Sequence, residues 1–264
     1  MSSPQNDGVE SARAVARDRE SEFGPIHPQT LVAQDDLASK LREAGEFESA
    51  SLVFEELLDK LRVQYGKDDW RAVTTEHSLG HTLHRLGDLQ AARELQEHVL
   101  AIAVSLFGEE SEQVKMGLIN LANTLRDLED YTSELPIRIR IVESFLHSAG
   151  SESLRVPAAR SDLSATMRNL GDFESAYPLD LEILTEQERL NAEPRTLLWT
   201  KTCIAKDLYG LGKVKDSVDL YVEVFRESEL QLPPDDPIRT GLEEFRTGID
   251  KYERKKSRKR RRAG

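Results

Sequence analysis

Residues 79–92 read LGHTLHRLGDLQAA, and this stretch holds the features that decide the fold. Gly87 separates a segment with leucines four residues apart, Leu79 and Leu83, from a segment with the small residue Ala92 near its start. Leucines at that spacing share one face of an amphipathic helix, and glycine tolerates the left-handed conformation in which helices end. The stretch therefore predicts two helices joined by a turn at Gly87.

The same turn recurs along the chain on a lattice of 21 residues. Glu129 and Ala192 occupy two lattice positions, and Gly212 falls one residue early, which predicts a single deletion in the last repeat. A helix is therefore expected to end about every 21 residues, as in helical repeat proteins. The glycines on the lattice are Gly24, Gly45, Gly66, Gly87, Gly108, Gly150 and Gly171.

Alternate glycines have different neighbours, so the full repeat has 42 residues. Leu86-Gly87-Asp88-Leu89 represents one class of turn and Phe107-Gly108 the other; we name the helix before the first class A and the helix before the second class B. A column of small residues in helix A lets the partner helix approach closely, and it comprises Ala38, Gly80, Ala122, Ser164 and Ala205. The small column early in helix B comprises Ala50, Ala92 and Ala176, with Glu134 as the exception in the third repeat.

These columns predict an all-α fold, a right-handed α-solenoid of about five antiparallel helical hairpins. Terminal repeats are usually atypical, and we expect a half repeat at 9–23, with Ala12, Val15, Ala16 and Phe23 in its apolar columns, and a capping helix at 237–253. The flanking segments 1–8 and 254–264 are expected to be disordered. The predicted hairpins are 27–65, 69–107, 111–149, 153–191 and 195–229.

Composition excludes several classes of protein. No run approaches the roughly 18 consecutive apolar residues of a membrane span, and the polar start of the chain lacks the profile of a secretory signal. The lone Cys203 argues against a disulfide framework and fits a reducing compartment. We therefore expect a cytoplasmic protein that does not insert into a membrane.

The repeat resembles the tetratricopeptide repeat (TPR). The resemblance rests on the small residue after a leucine in helix A, the glycine between the helices and the alanine early in helix B. The 42-residue form is similar to the repeats of kinesin light chains and to those that follow the NTPase module of actinobacterial signalling proteins. It extends over residues 20–250, and the segments that carry it best are 23–31, 120–122 and 176–179.

The resemblance implies a non-catalytic scaffold or adaptor that binds protein or peptide on its concave, A-helix side. The sequence lacks the common enzyme motifs GxxxxGK[ST], GxGxxG, HExxH, GxSxG and CxxC. We therefore expect that the chain is not an enzyme and binds no cofactor. The alternative is a sensor or regulatory component of a bacterial signalling system that acts on an NTPase or effector on another chain. The sequence leaves the oligomeric state open.

Two groups of polar residues mark the predicted binding groove. Arg42, His84, Arg126 and Arg168 recur every 42 residues in one column of helix A. This column predicts a basic ladder that binds an acidic or phosphorylated segment, or a solvated face whose arginines each pair with a local acid. His77, His81 and His84 share one face of the second A helix, and with Asn120 and Asn123 they complete the predicted groove. We interpret the histidines as polar lining or as a pH-sensitive cluster, not as a metal site.

The C-terminal segment is strongly basic, although the net charge of the chain is −12. Such a segment predicts weak, sequence-independent contact with nucleic acid, which gives a second alternative function, or else a solvating tail. The basic residues of the tail are Arg254, Lys255, Lys256, Arg258, Lys259, Arg260, Arg261 and Arg262.

Overall fold

The computed structural model describes residues 4–148, 153–243, 245 and 247. The predicted basic tail and Gly150 lie outside the described residues. The chain divides into two compact units, residues 1–137 and 138–264, and each is described on its own. The helices are α1 (Pro4–Phe23), α2 (Pro28–Glu43), α3 (Phe47–Tyr65), α4 (Trp70–Leu86), α5 (Leu89–Phe107), α6 (Glu112–Asp127), α7 (Tyr131–Ser148), α8 (Arg155–Asn169), α9 (Phe173–Arg189), α10 (Pro194–Gly210) and α11 (Val214–Gln231).

The described residues form helices and connecting turns, without strands. Even-numbered helices from α2 to α10 are A helices and odd-numbered helices from α3 to α11 are B helices. Each A helix ends within a few residues of the next B helix, so consecutive helices alternate as the 42-residue repeat predicts. The predicted all-α repeat solenoid is therefore confirmed.

The glycines of the lattice that the structure describes all have positive φ angles, as expected at helix ends, and the lattice needs one correction. Glu129 keeps the left-handed conformation, with φ 57°, although it is not glycine. In the next exception Asn191, with φ 51°, takes that conformation in place of Ala192. The deletion therefore precedes Asn191 and shortens the fourth hairpin, not the last one; α9 has 17 residues where α3 and α5 have 19.

The core of unit 1 forms where the small columns let A and B helices meet. Ala38 of α2 and Ala50 of α3 are both 0% exposed, and Phe54 packs beside them. α1 begins at Pro4, inside the segment predicted to be disordered. Val9, the first residue of the predicted half repeat, is only 2% exposed and joins this core, and the helix extends five residues further towards the N-terminus.

Two predicted core residues of α1 face solvent instead. Val15 is 46% exposed and Phe23 is 38% exposed, whereas Ala12 and Ala16 are buried as expected. Phe23 stacks on His27 in the turn before α2, with ring centroids 4.7 Å apart. The first helix thus has a narrower apolar face than the later B helices.

Unit 2 has a core cluster of its own at its C-terminal end. Leu198, Tyr221 and Val224 pack with Ile238 and Leu242. The last two belong to a helical segment that begins at residue 237, as predicted for the capping helix. The end of the predicted segment, up to residue 253, lies outside the described residues.

Candidate functional site: the A face of unit 1

The exposed sides of α2, α4 and α6, which we call the A face, contain two apolar hollows. The first lies between α2 and α4 and has a volume of about 310 Å³. Its floor is built by Leu57, Leu61 and Tyr65 from the B helix α3, and its rim includes Val32 and Trp70. Val32 is 70% exposed and Trp70 is 65% exposed. Large apolar side chains grouped at this exposure are typical of a binding surface.

The second hollow is the equivalent of the first, one repeat further along unit 1. It lies between α4 and α6 and has a volume of about 450 Å³. Phe107 takes the place of Tyr65 on its floor, and Met116 stands on its rim where Thr74 stands in the first hollow. Because A helices of successive repeats pack side by side, equivalent points of the two hollows lie about 10 Å apart.

Sequence reasoning missed these hollows. The signal that could have revealed them is the aromatic residue before each glycine of the second class, which is Tyr65 or Phe107. We interpreted these residues only as the ends of B helices. In the structure these rings close one end of each hollow. Of the predicted groove residues, His77 lines the second hollow, and Arg168 lies on α8 in unit 2; the others lie on α2, α4 and α6.

His77 and Asn120 connect α4 to α6 across the A face. The Nδ2 atom of Asn120 lies 3.1 Å from Nε2 of His77. An amide NH₂ can only donate, so this contact requires a neutral imidazole with its proton on Nδ1. Burial and the neighbouring Arg42 lower the pKa of His77, which favours that neutral form. The pair therefore fixes one polar rung beside the second hollow, and the exposed Asn123 lies one turn further along α6.

The three histidines of α4 have three different surroundings. His84 lies 2.8 Å from a carboxylate oxygen of Asp127 on α6. His81 is exposed, and its pKa is lowered by partial burial and by Arg42. Within the part of the chain that the structure describes, no three His, Cys, Asp or Glu side chains are grouped as metal ligands. His77 and His84 thus contact different residues of α6, whereas His81 is exposed.

Most members of the predicted basic column have internal carboxylate partners. Nε of Arg126 donates to Oε1 of Glu134 at 3.1 Å, and Glu134 is 0% exposed. Glu134 is the residue that interrupts the small column of helix B, and the pair gives this exception a physical reason. In unit 2 Arg168 donates to Asp207 at 2.6 Å and to Asp180 at 2.5 Å. Arg126 and Arg168 therefore pair with buried carboxylates of other helices, and not with local acids on a solvated face.

The partners of Arg168 are buried, with Asp207 at 0% and Asp180 at 3% exposure of their side chains. Two carboxylates share one guanidinium here. Burial raises the pKa of Asp180 to about 7, since the single cation is already matched by Asp207. Cys203, which is also buried, has its pKa raised to about 11 by burial, so it is not a reactive thiolate at neutral pH.

Arg42 is the member of the column whose guanidinium has no carboxylate within 4.0 Å among the described residues. It lies instead over the ring of Phe54, 5.9 Å from the centroid. The column therefore contains one arginine available to a ligand in unit 1, and at the equivalent position of unit 2 an arginine paired with two buried carboxylates.

Comparison with known proteins agrees with this architecture. The sequence profile of the tetratricopeptide repeat matches residues 71–137, which cover α4, α5, α6 and the start of α7. No curated protein matches the sequence. None of the helices in the described ranges has the length and apolar character that a membrane crossing needs.

Three solved structures illustrate the fold. BtubC (BKLC) from P. vanneervenii has a TM-score of 0.64 and 19% identity, over 89% of this chain and 96% of its own. The nearly identical TPR-like repeats assigned to a kinesin light chain of Podosopora anserina give 0.66 and 18%, over 78% of this chain and 99% of their own. YrrB, described as a TPR protein with an unusual peptide-binding site, gives 0.58 and 14%, over 88% and 99%. The prediction of tetratricopeptide repeats similar to those of kinesin light chains is confirmed, and at these identities the likeness concerns the fold.

Proposed function

We propose that this chain is a non-catalytic scaffold that binds a polypeptide segment of another protein on the A face of unit 1. The observation that carries the proposal is the pair of repeat-related apolar hollows, each between two A helices. A segment with two apolar side chains about 10 Å apart fits this spacing. That distance separates residues i and i+3 of an extended, polyproline-like segment and residues i and i+7 of a helix.

The polar groups beside the hollows favour a specific register for the segment. Asp35 lines the first hollow at the position that His77 takes in the second. The two hollows thus have the same apolar floor but different polar neighbours, so they would distinguish the two halves of a bound segment. We include Arg42, His81, Asn120 and Asn123 in this proposed surface as hydrogen-bonding groups.

The more specific predictions remain proposals, and each rests on a different observation. A preference for an acidic or phosphorylated segment is supported by Arg42 but gains no support from Arg126 and Arg168, whose guanidinium groups already contact carboxylates. A role as the sensor component of a signalling system rests on the resemblance alone. Nucleic-acid binding rests on the basic tail, and a cytoplasmic location on the composition.

The test is a selection of peptides from a degenerate library on the whole chain, followed by affinity measurements with variants. Val32→Glu and Met116→Glu place a charge on the rim of each hollow, and we expect each to weaken binding at least tenfold. Leu52→Glu and Val63→Glu are the matched controls, because these residues of α3 are 66% and 88% exposed but do not line the hollows. Equal loss in all four variants, or in none, would contradict the proposal.

Trp70 provides a direct optical readout of the first hollow. The chain has two tryptophans, so Trp199→Phe leaves Trp70 as the only one. A side chain that enters the hollow removes water from the Trp70 ring, so the emission of Trp70 should shift to shorter wavelength. The dissociation constant from this shift should equal the one from the binding measurement. A bound peptide that leaves Trp70 emission unchanged would place the site elsewhere.

A further inference from the structure

The A face of unit 1 contains a third hollow, and its lining is basic instead of apolar. It lies between the C-terminal ends of α2 and α4 and has a volume of about 570 Å³. Arg42, Glu43, His81 and Arg85 provide its charged and titratable lining, and Phe47 from the start of α3 completes it with the Ala44-Gly45 turn. Its volume falls in the range of small-molecule and cofactor sites, roughly 300–1,000 Å³.

Both guanidinium groups of this basic hollow are held by aromatic rings. Arg42 lies over Phe54 at 5.9 Å and Arg85 lies over Phe47 at 5.0 Å, measured to the ring centroids. Stacking on a ring leaves the N–H groups at the edge of a guanidinium free to donate. A side chain already held in place loses less conformational entropy when it binds a ligand.

Neither guanidinium forms a salt bridge with a carboxylate of the described residues. Among the described residues, Arg42 and Arg85 have no carboxylate oxygen within 4.0 Å. Glu43 belongs to the lining, but its carboxylate accepts from Nζ of Lys40 at 3.1 Å. Two guanidinium groups without a salt bridge in one hollow are unusual in a chain of net charge −12, where carboxylates outnumber basic side chains. Asp35, seven residues before Arg42 on α2, interacts with Arg42 electrostatically without forming a salt bridge.

The electrostatics of His81 agree with an excess of positive charge in this hollow. Partial burial is the first cause that lowers the pKa of its imidazole, and electrostatic interaction with Arg42, His84, His77 and Arg85 adds to it. A neutral imidazole next to two guanidinium groups can still donate one hydrogen bond to an anion. The hollow thus offers about two positive charges and several donors.

We propose that the basic hollow binds the phosphate group of a phosphorylated side chain in the partner segment. Phosphorylated serine, threonine and tyrosine carry a charge near −2 at neutral pH, which matches the two arginines better than the single charge of a carboxylate does. Planar guanidinium groups bind phosphate oxygens with two parallel hydrogen bonds. This assignment rests on the proposed function, because it names the chemistry of the segment that the A face binds.

The position of the hollow sets the spacing of the sequence that it would recognise. Val32, on the rim of the first apolar hollow, and Arg42 are ten residues apart on α2, which corresponds to about 15 Å along a helix. An extended segment covers that distance in about four or five residues. The expected motif is therefore an apolar residue separated by about four or five positions from a phosphorylated one.

The first experiment needs no partner. Inorganic phosphate is titrated into the whole chain at pH 7 while the ring resonances of His81 are followed by NMR, with sodium chloride at matched ionic strength as the reference. His81→Gln assigns the resonance. We expect a saturable shift at His81 that is lost in Arg42→Gln and in Arg85→Gln and kept in Arg93→Gln, whose arginine lies on the B helix α5 with Glu97 as its partner.

The second experiment uses a peptide selected on the A face, synthesised with serine, phosphoserine or glutamate at each position three to six residues from its apolar anchor. At one position phosphoserine should tighten binding at least tenfold over serine, and the gain should vanish in Arg42→Gln and Arg85→Gln. A glutamate peptide that binds as tightly would overturn the phosphate assignment in favour of a carboxylate.

The two experiments separate this assignment from the proposed function. Absence of a saturable shift at His81, or a shift that survives both arginine variants, would refute the phosphate site even if Val32→Glu abolishes peptide binding. Conversely, if no peptide binds the A face, a shift that depends on both arginines would still support the site. Circular dichroism of Arg42→Gln and Arg85→Gln checks that each variant keeps its helices.

Discussion

Arg42 in unit 1 and Arg168 in unit 2 occupy the same column of the repeat, and they have opposite surroundings. The Arg42 guanidinium lies over an aromatic ring at the edge of an open hollow. The Arg168 side chain is 14% exposed, and its guanidinium contacts two buried carboxylates. The repeat thus fixes where an arginine stands, while the neighbours decide whether it stabilises the fold or remains available to a ligand.

Removal of each arginine tests this comparison most strongly. Arg168→Met leaves Asp180 and Asp207 buried without their cation, and breaking a buried pair in this way costs about 3–5 kcal/mol. Arg42→Met loses only a contact with Phe54, worth about 1 kcal/mol or less. Hydrogen exchange measures the loss of stability in each variant, at the α8–α10 amides for Arg168→Met and at the α2–α4 amides for Arg42→Met. Similar losses of stability in the two variants would refute the conclusion that Arg168 stabilises the fold and Arg42 does not.

Arg126 and Glu134 allow the same comparison within unit 1. Arg126→Met should destabilise more than the double variant Arg126→Met/Glu134→Ala, because the double variant removes the buried carboxylate together with its cation. It also places alanine where Ala50, Ala92 and Ala176 stand in other repeats. We expect a coupling of about 1–3 kcal/mol in a double-mutant cycle measured by urea unfolding. If the changes in the free energy of unfolding are additive, the contact between Arg126 and Glu134 does not stabilise the fold.

The glycines Gly210 and Gly80 test how closely the helices pack in the two units. A Cβ atom on Gly210 would lie 2.4 Å from the Phe173 ring, so Gly210→Ala should destabilise unit 2 by about 1–3 kcal/mol. A Cβ atom on Gly80 would meet its nearest neighbours at 3.5 Å. Gly80→Ala should therefore be neutral or stabilise unit 1 by up to about 1 kcal/mol. Thermal unfolding of the two variants checks the opposite signs.

A pH dependence confined to unit 2 tests the buried carboxylates that contact Arg168. Since burial raises the pKa of Asp180 from 3.8 to about 7, the folded unit binds more protons than the unfolded chain between these values. Its stability should fall as the pH rises from about 4 to 7, with a slope of at most about 1.4 kcal/mol per pH unit for one proton. Asp180→Asn should abolish this slope, as followed by hydrogen exchange of α8–α10 corrected for intrinsic rates. A slope that persists in that variant would assign the proton to another group.

Much of the architecture could be predicted because the same pattern of residues recurs in each hairpin. Leu79, Leu83 and Gly80 have counterparts in every predicted hairpin, and local periodicity is enough to recognise them. Errors occurred where a single residue departs from the pattern. Asn191, not Ala192, takes the left-handed conformation. Asparagine adopts it more readily than alanine, but the 21-residue spacing placed the turn one residue later.

The candidate site was predicted less completely than the fold. The sequence correctly grouped His77 and Asn120 on neighbouring A helices, because a 42-residue repeat places them almost one period apart. It gave no sign that the Arg126 and Arg168 guanidinium groups contact Glu134, Asp180 and Asp207. Those partners come from other helices, and their distances depend on how the hairpins pack.

By itself, the sequence determined the repeat length, the alternation of A and B helices and the residues that can appear on the A face, since each follows from local periodicity and the conformational freedom of glycine. Only the tertiary structure decided what those residues do. An arginine contributes to the core or remains available for binding according to the carboxylates within a few ångströms of it. That proximity is created when separate helices pack against one another.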